Sequence, residues 1–149
     1  MLLSDPRIDL NQAENQGFTP FYAACLKGHS EVVSLLLLDP RIDPNQGDND
    51  GGTPFSTACS YGHVDIILLL LTSPRFDPNQ PRNDDTIPLW QASQRGDLFV
   101  VQHLLASGRG IDTMTRSTWN NTTAAEQGRL QLSIPKDDEE TQDLFERER

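Results

Sequence analysis

The chain repeats itself every 34 residues, and no other feature of its sequence constrains the fold as tightly. Thr19-Pro20-Phe21 runs through Ala24-Cys25-Leu26-Lys27-Gly28-His29, and Thr53-Pro54-Phe55 runs through Ala58-Cys59-Ser60-Tyr61-Gly62-His63. A third copy, Ile87-Pro88-Leu89 through Ala92-Ser93-Gln94-Arg95-Gly96-Asp97, is worn but in register. The linkers keep the same period: Asp5-Pro6-Arg7-Ile8-Asp9, Asp39-Pro40-Arg41-Ile42-Asp43, Ser73-Pro74-Arg75-Phe76-Asp77. A fixed period of this length marks a solenoid, in which each unit buries its apolar face only against its neighbours. Such a stack encloses no single cavity; it offers a long surface.

Within the second unit the local rules predict a helix pair. Thr53 stands where an N-cap belongs, and Pro54 takes the first helical position, where its missing N–H costs nothing. Phe55, Ala58 and Cys59 form an apolar stripe at helical spacing, and Gly62 ends the helix. After His63, the residues Val64, Ile66, Ile67, Leu70 and Leu71 cover more than one face, as in a helix sandwiched between neighbours. Val32, Val33, Leu36 and Leu37 match these positions in the first unit, and Val100, Val101, Leu104 and Leu105 match them in the third. The expectation is helices over 21–28, 55–62 and 89–96, each followed by an antiparallel helix ending near Leu38, Thr72 and Ala106. Asp43-Pro44-Asn45-Gln46-Gly47-Asp48-Asn49-Asp50-Gly51-Gly52 between units is turn chemistry.

Thr-Pro-Phe, an Ala pair, Gly-His, a β-branched pair and a Leu run together resemble the ankyrin repeat, a turn plus two helices with a usual period of 33 residues. The extra residue fits in the Asp-Pro-Arg-Ile-Asp linker. The resemblance spans about residues 5 to 128 and implies an all-α, ankyrin-type helix-turn-helix solenoid with short hairpin-like fingers. Residues 19–117 would hold three repeats, and residues 1–18 part of a preceding repeat with its linker. Met1-Leu2-Leu3 aligns with Leu35-Leu36-Leu37, so the chain is expected to open on a repeat's last turn. Residues 118–149 would form a degenerate fourth repeat and an acidic tail, since no Gly-His follows Trp119 to Gly128.

A net charge of −10 argues against nucleic acid and anionic membranes, both of which need clustered Lys and Arg. Lys136 to Arg149 alone carries seven acids against three bases, a solvated end. The longest apolar run, Ile66 to Leu71, is far short of the ~20 residues of a membrane span. Met1-Leu2-Leu3-Ser4-Asp5 is no signal peptide. Cys25 and Cys59 are one period apart, hence roughly 10 Å apart in a stack, beyond the ~7 Å reach of a disulfide. They read as small core residues in a reducing compartment, cytoplasmic or nuclear, which makes the sequons at Asn120 and Asn121 accidental.

Catalysis has little support. His29 and His63 share one structural slot, which the third unit fills with Asp97, so ligation is a poor reading. His103 has no carboxylate or second ligand three or four residues away. No nucleophile meets a base, no phosphate loop appears, and no cofactor or metal is expected. The positions that differ between copies are more informative, because there the scaffold is indifferent and a partner can choose. After each Ala pair these are Leu26-Lys27, Ser60-Tyr61 and Gln94-Arg95. The fingers contribute Asn15, Gln16 and Phe18, then Asn49 and Asp50, then Asn83 and Asp84.

The resemblance implies that fingertips and inner-helix surface form a concave partner-binding face. Phe18, Tyr61, Trp90 and Trp119 would be its aromatic anchors. Phe18 and Trp90 have a second reading as packing between repeats, while Tyr61 and Trp119 read as surface. Asp50, Asp84 and Asp85 favour a protein partner with a basic patch. The expected function is a non-enzymatic protein–protein interaction module, monomeric or part of a longer repeat array. The alternative is a structural or regulatory segment of a larger multidomain protein with no partner of its own.

Overall fold

The computed structural model describes residues 5–118, 120–124, 126 and 127. Among them the fold is three helix pairs: α1 (Pro20–Lys27) and α2 (Ser30–Leu37), α3 (Pro54–Tyr61) and α4 (Val64–Leu71), α5 (Pro88–Arg95) and α6 (Leu98–Ala106). The inner helices α1, α3 and α5 touch in sequence, and so do the outer helices α2, α4 and α6. The chain is thus the all-α solenoid its period implies. Its inner helices begin one residue earlier than expected and end one earlier. Proline occupies the first helical position in each, and the glycine is the left-handed cap beyond the last turn.

Thr19 and Thr53 cap their helices, each hydroxyl accepting a backbone N–H at 3.0 Å, from Tyr22 and Ser56 respectively. Ile87 has no such group, and α5 begins without a side-chain cap. Gly28 and Gly62 close α1 and α3 with φ of 75° and 71°, a conformation that a Cβ resists. A second demand acts at Gly28, where a Cβ would meet the His63 ring at 2.9 Å; at Gly62 it would meet the Arg95 guanidinium, the movable end of an exposed side chain.

Phe21, Phe55 and Leu89 fill one row of the core, and Leu36, Leu70 and Leu104 fill another. Ile66 and Val100 are both 1% exposed, whereas Val32 at the same register is 45% exposed. Each of the first two is covered by the preceding unit's outer helix, and Val32 has no such neighbour among the described residues. Cys25 and Cys59 are free and buried, as the stacking distance requires. Burial pushes the Cys25 thiol up to about 12 and raises that of Cys59 as well.

The linkers hold the units together through a periodic set of polar bonds. Asn11 accepts the Asp43 N–H at 2.8 Å and donates to the Arg41 carbonyl at 2.7 Å. Asn45 makes the same pair with Asp77 and Arg75, and Asn79 with Asp112 and Gly110. Arg75 reaches back one unit. Its guanidinium donates to the carbonyls of Leu37 (3.0 Å), Asp39 (3.3 Å), Pro40 (3.1 Å) and Ile42. Leu37 ends α2, so a cation sits where the helix presents unpaired carbonyls and negative potential. Arg109 repeats the arrangement on Leu71, Ser73 and Phe76, with its guanidinium carbon 4.8 Å from the centre of the Phe76 ring.

Ser93 stands in the slot of Cys25 and Cys59, fully buried, and its hydroxyl has no hydrogen-bond partner. An unsatisfied buried hydroxyl costs about 1–3 kcal/mol. Ser93→Cys, which restores the residue of the other two units, should therefore stabilise the fold by about 1 kcal/mol. A denaturant midpoint that rises at unchanged slope is the expected result. A lowered midpoint would mean that the hydroxyl is satisfied in solution.

Candidate protein-binding face

Each finger is a short hairpin closed by its own backbone. Glu14 N–H donates to Phe18 C=O at 3.1 Å, Asp48 to Gly52 at 2.9 Å, Arg82 to Thr86 at 2.9 Å, and Ser117 to Thr122 at 3.0 Å. The fingers are then stapled to one another. Asn49 donates its backbone N–H to Gln16 C=O (3.1 Å) and its carboxamide to Asn15 C=O (2.9 Å). Asn83 does the same to Asp50 (3.0 Å) and Asn49 (3.2 Å). The linker into the fourth finger is one residue longer, so Thr118 takes this role, donating N–H and hydroxyl to Asp84 C=O at 3.0 and 2.8 Å.

These bonds correct part of the sequence reading. Asn15, Asn49 and Asn83 are not positions where copies diverge; they are the same residue three times, and two of them hold the finger row together through their side chains. Gln16 and Asp50 contribute carbonyls to that row. Asp84 is half-buried, and one carboxylate oxygen accepts from the N–H (3.0 Å) and hydroxyl (2.5 Å) of Thr86. These are structural duties that a partner shares at most in part.

The aromatic candidates separate. Trp90 is 3% exposed, and its indole N–H donates to the Thr122 hydroxyl at 3.1 Å. It is a core residue joining the third unit to the hairpin that carries Thr122, which is the packing role of its two readings. Phe18 is half-buried and stacks on Tyr22 at 4.6 Å between ring centres. Tyr61 is 57% exposed at the end of α3. The ring it faces is that of His63, parallel within 9° at 6.1 Å. Lys27 and Arg95 are exposed at the same register and Gln94 one position earlier, with Arg95 3.9 Å from Asp97. Trp119 lies outside the described residues, as do Met1 to Ser4 and the acidic stretch 137–140.

His63 and His103 have structural partners. His63 donates through Nε2 to the Leu26 carbonyl of the preceding unit at 3.0 Å, which satisfies the end of α1 while the ring fills the space over Gly28. His103 bonds the Phe99 carbonyl, four residues earlier, through Nδ1 at 2.8 Å. Among the described residues no three His, Cys, Asp or Glu converge as metal ligands. No described helix is long and apolar enough to cross a membrane.

Sequence reasoning missed a polar layer under the fingers. The Tyr22 hydroxyl donates to Asp48 Oδ2 at 2.6 Å and accepts from the Thr57 hydroxyl at 2.9 Å. Burial and the Asp48 carboxylate push this phenol well above its ordinary range. Ser60 donates to the Gln91 carboxamide oxygen at 2.7 Å. Pairs such as Tyr22 with Asp48, 26 residues apart, carry no local signature. The four acids Asp48, Asp50, Asp84 and Asp85 sit on the second and third fingers. Arg82 lies among them, 3.7 Å from Asp50.

No curated protein matches the chain. A family model described as ankyrin repeats (3 copies) matches residues 1–82 and 37–117.

Proposed function

The chain belongs to the ankyrin-repeat family, and from that premise we propose that it is a non-enzymatic protein-binding module acting through its concave face. Ankyrin repeats are generally protein–protein interaction modules, which makes protein the expected class of partner. One observation carries the assignment to this face: among the described inner-helix residues, Tyr61 is the large apolar side chain that stands in solvent, 57% exposed. An aromatic with a polar tip on a rigid helix loses little entropy on binding and is the kind of residue that dominates interfaces. The acids of the second and third fingers suit a partner with a basic patch, inside a reducing compartment where Cys25 and Cys59 stay thiols.

Truncating a central aromatic anchor commonly costs about 2 kcal/mol or more in binding. Tyr61→Ala should weaken capture of a partner in a pull-down at least about tenfold, with an unchanged melting temperature, and binding should weaken with added salt. Normal binding by Tyr61→Ala, together with loss on changing exposed outer-helix residues such as Glu31 or Asp65, would move the interface to the back of the stack. The exposed Val32 and Leu35, whose counterparts in α4 pack on the core, favour a second reading as a spacer or regulatory stretch within a longer array. That reading gains if the isolated chain captures nothing and is unstable alone.

A further inference from the structure

Later units grip the unit before them through a recurring set of contacts. Ile66 and Val100 bury their side chains on that side, each 1% exposed. Arg75 and Arg109 donate back to its carbonyls. Asn49 and Asn83 donate N–H and carboxamide to its fingertip carbonyls. His63 donates to the Leu26 carbonyl at the end of α1. The first unit carries the same groups, and none of them is answered among the described residues. Val32 is 45% exposed, with Leu35 63% exposed one turn on. The Arg7 guanidinium reaches only Asp5, two residues before it. Asn15 and His29 are exposed, and their side chains find no acceptor. On α1, Ala23 stands at the register of Thr57 and Gln91, which both bond the preceding inner helix. Ala23 instead lines an open, largely apolar hollow of about 460 Å³ with Phe18 and Leu26. The opposite edge differs. Met114 follows Asp112 as Asn45 follows Asp43, with the same N–H to carboxylate bond, but its thioether cannot staple onward as Asn11, Asn45 and Asn79 do.

We propose that the N-terminal edge of the stack is a docking face for a further ankyrin-type helix pair, which continues the period on that side. What is left unanswered specifies the occupant. The counterparts of Arg7, Asn15 and His29 all donate to main-chain carbonyls: those at an outer helix end and its linker, at a fingertip, and at an inner helix end. Carbonyls in those places, spaced as the units are and beside an apolar helix face, are what another unit of this stack presents. A lone helix spends its carbonyls internally except in its last turn, and an extended peptide has no helix face to set against Val32 and Leu35. The end units of a solenoid turn a polar face outward; this edge does the reverse, as an internal face does.

Duplicating residues 5–38 within the full chain, so that the copy stands directly before Asp5, tests the edge. The period makes the junction seamless, because Leu38 then runs into Asp5-Pro6-Arg7-Ile8-Asp9 as it runs into Asp39-Pro40-Arg41-Ile42-Asp43. The extended chain gains one unit and one interface and should melt at least about 4 °C higher. In the unaltered chain, Val32→Ala and His29→Ala should leave the melting temperature where it is, since both side chains stand in solvent. In the extended chain the same changes at the original positions should each lower it by about 2–4 °C. The two act through different contacts, so either one decides the matter should the other disturb α2. No gain from the duplication, or equal effects of the substitutions in the two chains, would overturn the docking face. So would an unaltered chain that sediments as an oligomer and becomes monomeric with Val32→Asp, because the edge would then belong to a second copy. Every readout here is stability or mass, so Tyr61→Ala still decides the concave face by itself.

Discussion

Leu70→Ala should destabilise the protein by about 2–5 kcal/mol, the cost of a cavity in a packed core. Leu70 is 1% exposed on α4, the helix held between α2 and α6. Its loss thins two interfaces at once, because α4 is the middle member of the outer row. In a short array stability is a sum of weak unit terms and neighbour interfaces, so a loss of this size should melt most of the stack in a single transition. Urea titration followed by circular dichroism measures it. A change below about 1 kcal/mol would show that the middle helix is not sandwiched.

Arg75→Ala should cost about 1.5–3 kcal/mol, the range for hydrogen bonds to a charged partner. The residue is half-buried and serves four carbonyls around the end of α2. Removing it takes the guanidinium donors from the carbonyls of Leu37, Pro40 and Ile42, leaves Asp39 with the Ile42 N–H at 3.2 Å, and withdraws a cation from a helix C-terminus. Arg75→Lys should recover little, since an ammonium is a single point donor and cannot span four carbonyls as the planar fork does. Full recovery by lysine would assign the effect to charge alone. The same exchange at Arg109 should act in the same direction, because it repeats the geometry one unit later.

These two residues differ in how visible they were. Leu70 was legible because the hydrophobic pattern around it covers more than one helix face, and burial follows from that pattern. Arg75 was visible only as a period, one of Arg7, Arg41, Arg75 and Arg109, each 34 residues after the last. Nothing in the linker says that a surface arginine turns back over the preceding helix end. Asn49 and Asn83 show the same limit from the other side. Their identity with Asn15 was in plain view, yet fingertips in a turn-rich stretch read as free surface until the staples between them are seen. Trp90 and Tyr61 are both aromatics on inner helices; on sequence alone Tyr61 reads as surface and Trp90 stays between anchor and packing. Trp90, at the third position of its helix, faces the next unit; Tyr61, at the last, faces solvent.

The sequence alone therefore determined the unit and its repetition: Thr-Pro starts, Gly stops, apolar stripes and a constant period are local, and local sterics and hydrophobic spacing act within a few residues. Which polar groups join one unit to the next was decided only by the tertiary structure. Those contacts link residues about 26 to 38 positions apart. Their geometry depends on how two complete units settle against each other, and no short window of the chain contains both partners.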